Sequence, residues 1–102
     1  MVISLDPNHL AAHGLGVVYF AQGKLDEAIA EFKTAISLDP NYANAHYDLA
    51  RAYSLKNEAN LAIESLQKAI ELDKEYIKKA ETESRFDNIR KSLEFQKLIG
   101  SQ

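Results

Sequence analysis

Apolar positions along this chain gather into blocks with helical spacing, and short runs of turn residues separate them. From Leu10 to Ala21 almost every position is apolar, with His13 as the interruption. A first helix is expected over His9 to Ala21, with Asn8 as its cap because that side chain accepts from the free amides of a first turn. Gln22-Gly23-Lys24 then turns the chain into a second helix over Leu25 to Leu38, where Asp26 and Glu27 sit at the positive end. Asp39-Pro40-Asn41 opens the next unit. A third helix is expected over Tyr42 to Leu55, a turn at Lys56-Asn57-Glu58, and a fourth helix over Ala59 to Leu72.

These blocks repeat. The order Leu15-Gly16, Tyr19, Gly23, Ala28-Ile29, Phe32, Ala35-Ile36, Leu38-Asp39 returns as Leu49-Ala50, Tyr53, Asn57, Ala62-Ile63, Leu66, Ala69-Ile70, Leu72-Asp73, each pair 34 residues apart. That order and period resemble the tetratricopeptide repeat. The resemblance implies an all-α fold, a right-handed array of antiparallel helix pairs. It also implies close helix crossings at Gly16 with Ala28 and at Ala50 with Ala62, where Tyr19 and Tyr53 fill space beside Phe32 and Leu66.

The units are expected at residues 8–40 and 41–73, followed by a cap over 74–102. Val2-Ile3-Ser4-Leu5-Asp6-Pro7 nearly repeats Ala35-Ile36-Ser37-Leu38-Asp39-Pro40, so residues 1–7 read as the end of a preceding repeat in a longer array. After Lys74 the repeat pattern stops. Tyr76, Ile77 and Ala80 suit one more helix, and Ser84 and Ser92 are expected to cap short helices over Arg85 to Lys91 and Leu93 to Ile99. This segment resembles the tail that closes many bacterial arrays, though Leu93 stands where the family often has proline. Phe86, Ile89, Phe95, Leu98 and Ile99 would then cover the last pair, and charged residues would face water as a terminal repeat requires.

Composition narrows the function. With 46% hydrophobic and 26% charged residues the chain is globular, and with no cysteine it has neither a disulfide framework nor a thiol nucleophile. Residues 1–73 carry five basic and ten acidic side chains, whereas residues 74–102 carry seven and five. The overall charge of -3 and the acidic residues interspersed in the basic tail argue against nucleic acid. The opening residues are no signal peptide and no apolar run reaches a membrane span, so a soluble, cytoplasmic chain is expected. No nucleophile with its base, no phosphate loop and no cofactor motif is recognisable, so no enzyme activity and no cofactor are expected. His9 and His13 share a helix face but lack the further ligands a metal needs. His46 reads as a packing residue.

The family resemblance makes the first helix of each pair line a concave groove. That groove would show Leu10, His13, Val17 and Phe20, then Asn44, Tyr47, Arg51 and Ser54, with Lys78 at its end. Such a groove suits a protein or peptide segment, with Arg51 anchoring a carboxylate. The lysine-rich clamp by which some family members hold chaperone tails maps to His13, Val17, Asp48, Lys78 and Thr82. Only Lys78 conforms, so that role is not expected. The first helix is apolar on nearly all sides, and such a helix is normally buried. The alternative function is therefore self-association into a homodimer through this helix.

Overall fold

The computed structural model describes residues 8–100. Six α-helices follow one another: α1 (Asn8–Ala21), α2 (Leu25–Leu38), α3 (Ala43–Leu55), α4 (Ala59–Leu72), α5 (Glu75–Thr82) and α6 (Leu93–Gly100). Asn8, the expected cap, is the first described residue and lies in α1 as its first residue. The proposed repeat end at residues 1–7 lies outside them too.

Helices α1 and α2 pack as one pair, α3 and α4 as a second, and α2 joins them by packing on α3. Small residues set these crossings. Ala28, Ala50, Ala62 and Ala69 are fully buried. A Cβ placed on Gly16 would lie 2.6 Å from the Phe32 ring, so this crossing requires glycine and its partner ring together. Tyr53 is buried and Tyr19 is partly buried against the same core as Phe32 and Leu66.

The turns inside the two pairs are the same device. Gly23 (φ 77°) and Asn57 (φ 63°) both adopt the left-handed conformation. Lys24 N–H donates to the Tyr19 carbonyl at 2.9 Å and Glu58 N–H to that of Tyr53 at 3.0 Å. Gly23 and Asn57 N–H bond to the Phe20 and Ser54 carbonyls. This pattern satisfies the carbonyls left free at a helix end. The pairs themselves end alike. Asp39 and Asp73 leave the helix in extended conformation, and their carboxylates accept from the amides of Asn41 and Glu75 two residues on.

The tail departs from expectation at Arg85–Lys91. In place of an α-helix capped by Ser84, a 3₁₀ turn spans Ser84–Phe86 and successive turns carry the chain to residue 92. Bonds from Phe86 to Glu83, Asp87 to Ser84, Ile89 to Phe86 and Ser92 to Ile89 all span three residues. The capping side chain is Glu83, which accepts from the Arg85 amide. Arg90 holds this path by turning back to donate to the carbonyls of Ala80, Glu81 and Glu83, closing the end of α5. Ser92 caps α6 as expected, accepting from Phe95 N–H at 3.1 Å. Phe86, Ile89 and Phe95 are buried in the main core, with Leu98 and Ile99 packed against it.

Candidate interaction site

The opening helices of the units lie side by side. Tyr42, which precedes α3, sets its ring edge-on to His13 of α1 at 5.1 Å, and Tyr47 of α3 lies 4.7 Å from Tyr76 of α5 between ring centroids. Across this face runs a continuous polar chain. The Tyr42 hydroxyl is 3.0 Å from His13 Nδ1, and His13 Nε2 is 2.6 Å from Asp48 Oδ2. A carboxylate only accepts, so Nε2 carries the proton, and in the neutral ring Nδ1 accepts from the Tyr42 hydroxyl. Arg51 Nη1 donates to Asp48 Oδ1 at 2.7 Å, and its Nε donates to Glu83 Oε1 at 3.2 Å. Arg85 Nη1 donates to that same oxygen, also at 3.2 Å.

The electrostatics follow from this arrangement. Burial pulls the Arg51 guanidinium down, but the hydrogen bond and charge of Asp48, together with Glu83, offset it and hold the group above its ordinary value. Burial pushes the Tyr47 phenol up to about 12, with Glu83 adding to the effect. Burial also raises Tyr42 and Tyr76. Two carboxylates, Asp48 and Glu83, face two guanidiniums, Arg51 and Arg85. The two carboxylates and the two guanidiniums balance one another.

The groove residues named from the sequence fall into three groups. Leu10, Val17, Asn44 and Lys78 are exposed. His13, Phe20 and Arg51 are half-buried, with the Arg51 guanidinium 4.8 Å from the Phe20 ring centre and Arg85 5.8 Å from it. Tyr47 and Ser54 are buried and do not line an open groove. The cause is the tail. Phe86 sets its ring edge-on to Tyr47 at 5.6 Å, and Asn88 donates to the Ser54 carbonyl at 3.0 Å. Arg51 is likewise no free anchor for a partner's carboxylate, because Asp48 and the chain's own Glu83 hold it. Glu83 and Arg85 join this face without a signal in the sequence, whereas Asp48 already stood among the clamp positions and only its pairing with Arg51 was not foreseen. The spacing of Asp48 and Arg51, three apart on one helix, was the available signal.

The remaining histidines are structural. His46 Nε2 bonds the Pro40 carbonyl at 2.9 Å, and His9 sits 3.8 Å from Asp39 with its ring edge-on to Tyr42. Among the described residues no group of three or more acidic or histidine side chains converges to hold a metal ion. No helix among them is long and apolar enough to cross a membrane.

Two family models match the chain. One, described as TPR repeat, matches residues 16–57, and the other, described as tetratricopeptide repeat, matches residues 43–76. The chain belongs to the tetratricopeptide-repeat family. Among its relatives is the tetratricopeptide repeat domain-containing protein PYG7, chloroplastic, of Arabidopsis thaliana. It is 38% identical over 61 residues, 60% of this chain and 20% of that protein. ETO1-like protein 2 of the same plant is 39% identical over 61 residues, 60% of this chain and 6% of that protein. The tetratricopeptide-repeat chain therefore spans a fifth or less of the length of these relatives. Repeats of this family are, in general, modules that bind other proteins.

Proposed function

We propose that this chain is a non-catalytic scaffold that receives a protein or peptide segment on its inner face, at the α1 end. The supporting observation is an asymmetry along that face. At α3 the chain's own tail covers Tyr47 and Ser54 and holds Arg51 through Glu83, whereas at α1 Leu10 and Val17 stand open with Phe20 half-open beside them. The partner segment that fits is apolar at its contact positions, since the charges beside it are already paired and Lys78 is the exposed cation farther along. Such a segment binds by burying apolar side chains against a helix face.

Peptides selected from a random display library on the immobilised chain, then mapped by amide chemical shifts, test this reading. Shifts centred on Leu10, Val17 and Phe20, and loss of binding in Val17→Glu, are expected. Enrichment of acidic peptides that shift Arg51 and Ser54 instead, or no enrichment at all, would overturn it.

A further inference from the structure

Helices α1 and α3 hold equivalent places in consecutive units, so α3 shows what α1 is built to meet. At a spacing of 34 residues Leu15 and Val18 match Leu49 and Ala52. Leu15 and Val18 are 42% and 51% exposed, whereas Leu49 and Ala52 are 6% and 0% exposed. Each helix has its own pair partner; α3 has in addition α2 packed on it, and among the described residues α1 has no preceding helix. The strip through Leu15 and Val18 is thus the one a preceding helix would cover.

A second strip of α1 has no such explanation. Leu10, Gly14, Val17 and Ala21 match Asn44, Asp48, Arg51 and Leu55, a face that is largely polar in α3 and carries the ion pairs of the inner face. In α1 it bears no charged side chain, and Leu10 and Val17 are 57% and 44% exposed. On α3, which has α2 packed on it, the ends of the matching strip at Asn44 and Leu55 stay exposed, so a helix packed on α1 in the same way leaves Leu10 and Ala21 open.

We propose that the strip pairs with the same strip of a second copy of this chain, antiparallel about a two-fold axis. This rests on the reading that α1 is the open end of the scaffold, and it names the occupant. The spacing of four, three and four is that of a helix–helix seam. Sizes alternate along it, with Leu10 and Val17 large and Gly14 and Ala21 small. Antiparallel pairing sets Leu10 opposite the partner's Ala21 and Gly14 opposite the partner's Val17, so each layer joins one large residue to one small one. Parallel pairing would set Leu10 on Leu10 and Gly14 on Gly14, a clash beside a void. Nothing lies within 4 Å of where a Gly14 Cβ would stand, which leaves room for the opposing valine. The self-contact brings no like charges together. The 14-residue helix is about 21 Å long, so the contact falls below the roughly 1,200 Å² of a standard stable interface and the dimer is weak.

The chain has no cysteine, so single introduced ones report cleanly. Leu10→Cys and Ala21→Cys, both at exposed positions, are equilibrated separately and mixed in a glutathione buffer. The expected result is a cross-linked heterodimer in the mixture well in excess of either homodimer. Sedimentation equilibrium of the unmodified chain should show a mass rising toward the dimer with concentration. Val17→Glu should return it to a monomer, and Leu93→Glu, exposed on α6, should leave it unchanged. A monomer at every concentration, or Leu10→Cys linking to itself as readily as to Ala21→Cys, overturns the proposal. A monomer that still binds selected peptides at α1 overturns the second copy alone; one that binds none overturns both readings.

Discussion

His13 Nε2 and Asp48 Oδ2 meet at 2.6 Å across the junction of the two helix pairs, joining residues 35 apart in sequence. Both side chains are largely buried, and each has a second partner: Tyr42 for the histidine and Arg51 for the aspartate. The bond therefore ties α1 to the inner face of α3 with no polar group left over.

Removing one side of this bond should be felt in stability. His13→Ala strips Asp48 of one partner and leaves the Tyr42 hydroxyl without its acceptor, and a buried polar group left unpaired costs about 1–3 kcal/mol. Urea unfolding should show a loss in that range, with His13→Gln losing less because its amide still donates. Unchanged midpoints for His13→Ala would show that the bond contributes nothing net.

Gly14 and Gly16 are two residues apart on α1 and should respond oppositely to alanine. Gly14 faces open space, so Gly14→Ala should stabilise by up to about 1 kcal/mol through helix propensity. Gly16→Ala drives a Cβ to within 2.6 Å of the buried Phe32 ring, and overpacking of this kind costs about 1–3 kcal/mol. Thermal midpoints of the two variants should fall on opposite sides of the parent chain. Coincident midpoints would mean that the α1–α2 crossing relaxes freely.

The pairs were legible in the sequence because their determinants are local and occur twice. Gly23 and Asn57 mark the left-handed turn, Asp39 and Asp73 the helix ends, and the small residues at Gly16, Ala28, Ala50 and Ala62 the crossings. The path of the tail was not, because it depends on contacts that occur once. Arg90 caps a helix that ends eight residues before it, and Glu83 reaches Arg51 across 32 residues. Neither bond leaves a periodic trace. For the same reason Tyr47 and Ser54 read as groove residues: their spacing placed them on the inner face, and only the fold of Phe86 and Asn88 over that face buries them. Leu10 and Val17, with no part of the tail folded over them, are exposed.

Ser54 Oγ is, among the described residues, the buried side-chain polar atom without a hydrogen-bond partner. It lies in the fully enclosed contact between α3 and the tail. Ser54→Ala removes an unsatisfied hydroxyl while keeping the volume nearly unchanged, so it should stabilise by about 1 kcal/mol. Ser54→Phe, restoring the residue type found at Phe20 one repeat earlier, should instead displace the tail and expose Phe86. A destabilised Ser54→Ala, measured in urea, would place a partner on that hydroxyl.

Tyr47 predicts an alkaline limit to stability. The folded chain keeps its phenol protonated up to about 12, because burial and the neighbouring Glu83 disfavour the phenolate, whereas an unfolded chain ionises near 10. Its contribution is therefore full below about pH 10 and is lost as the pH rises from there through 12, by at most about 3 kcal/mol in all. Tyr42 and Tyr76 are raised too, so part of the decline belongs to them. Denaturant unfolding between pH 8 and 12 should show the fall in the parent chain and a shallower one in Tyr47→Phe, while the highest step of the phenolate absorbance titration should vanish in that variant. An identical slope in both proteins would mean that Tyr47 opens to water before it ionises, and that the tail's hold on α3 is looser than the contact of Phe86 with its ring requires.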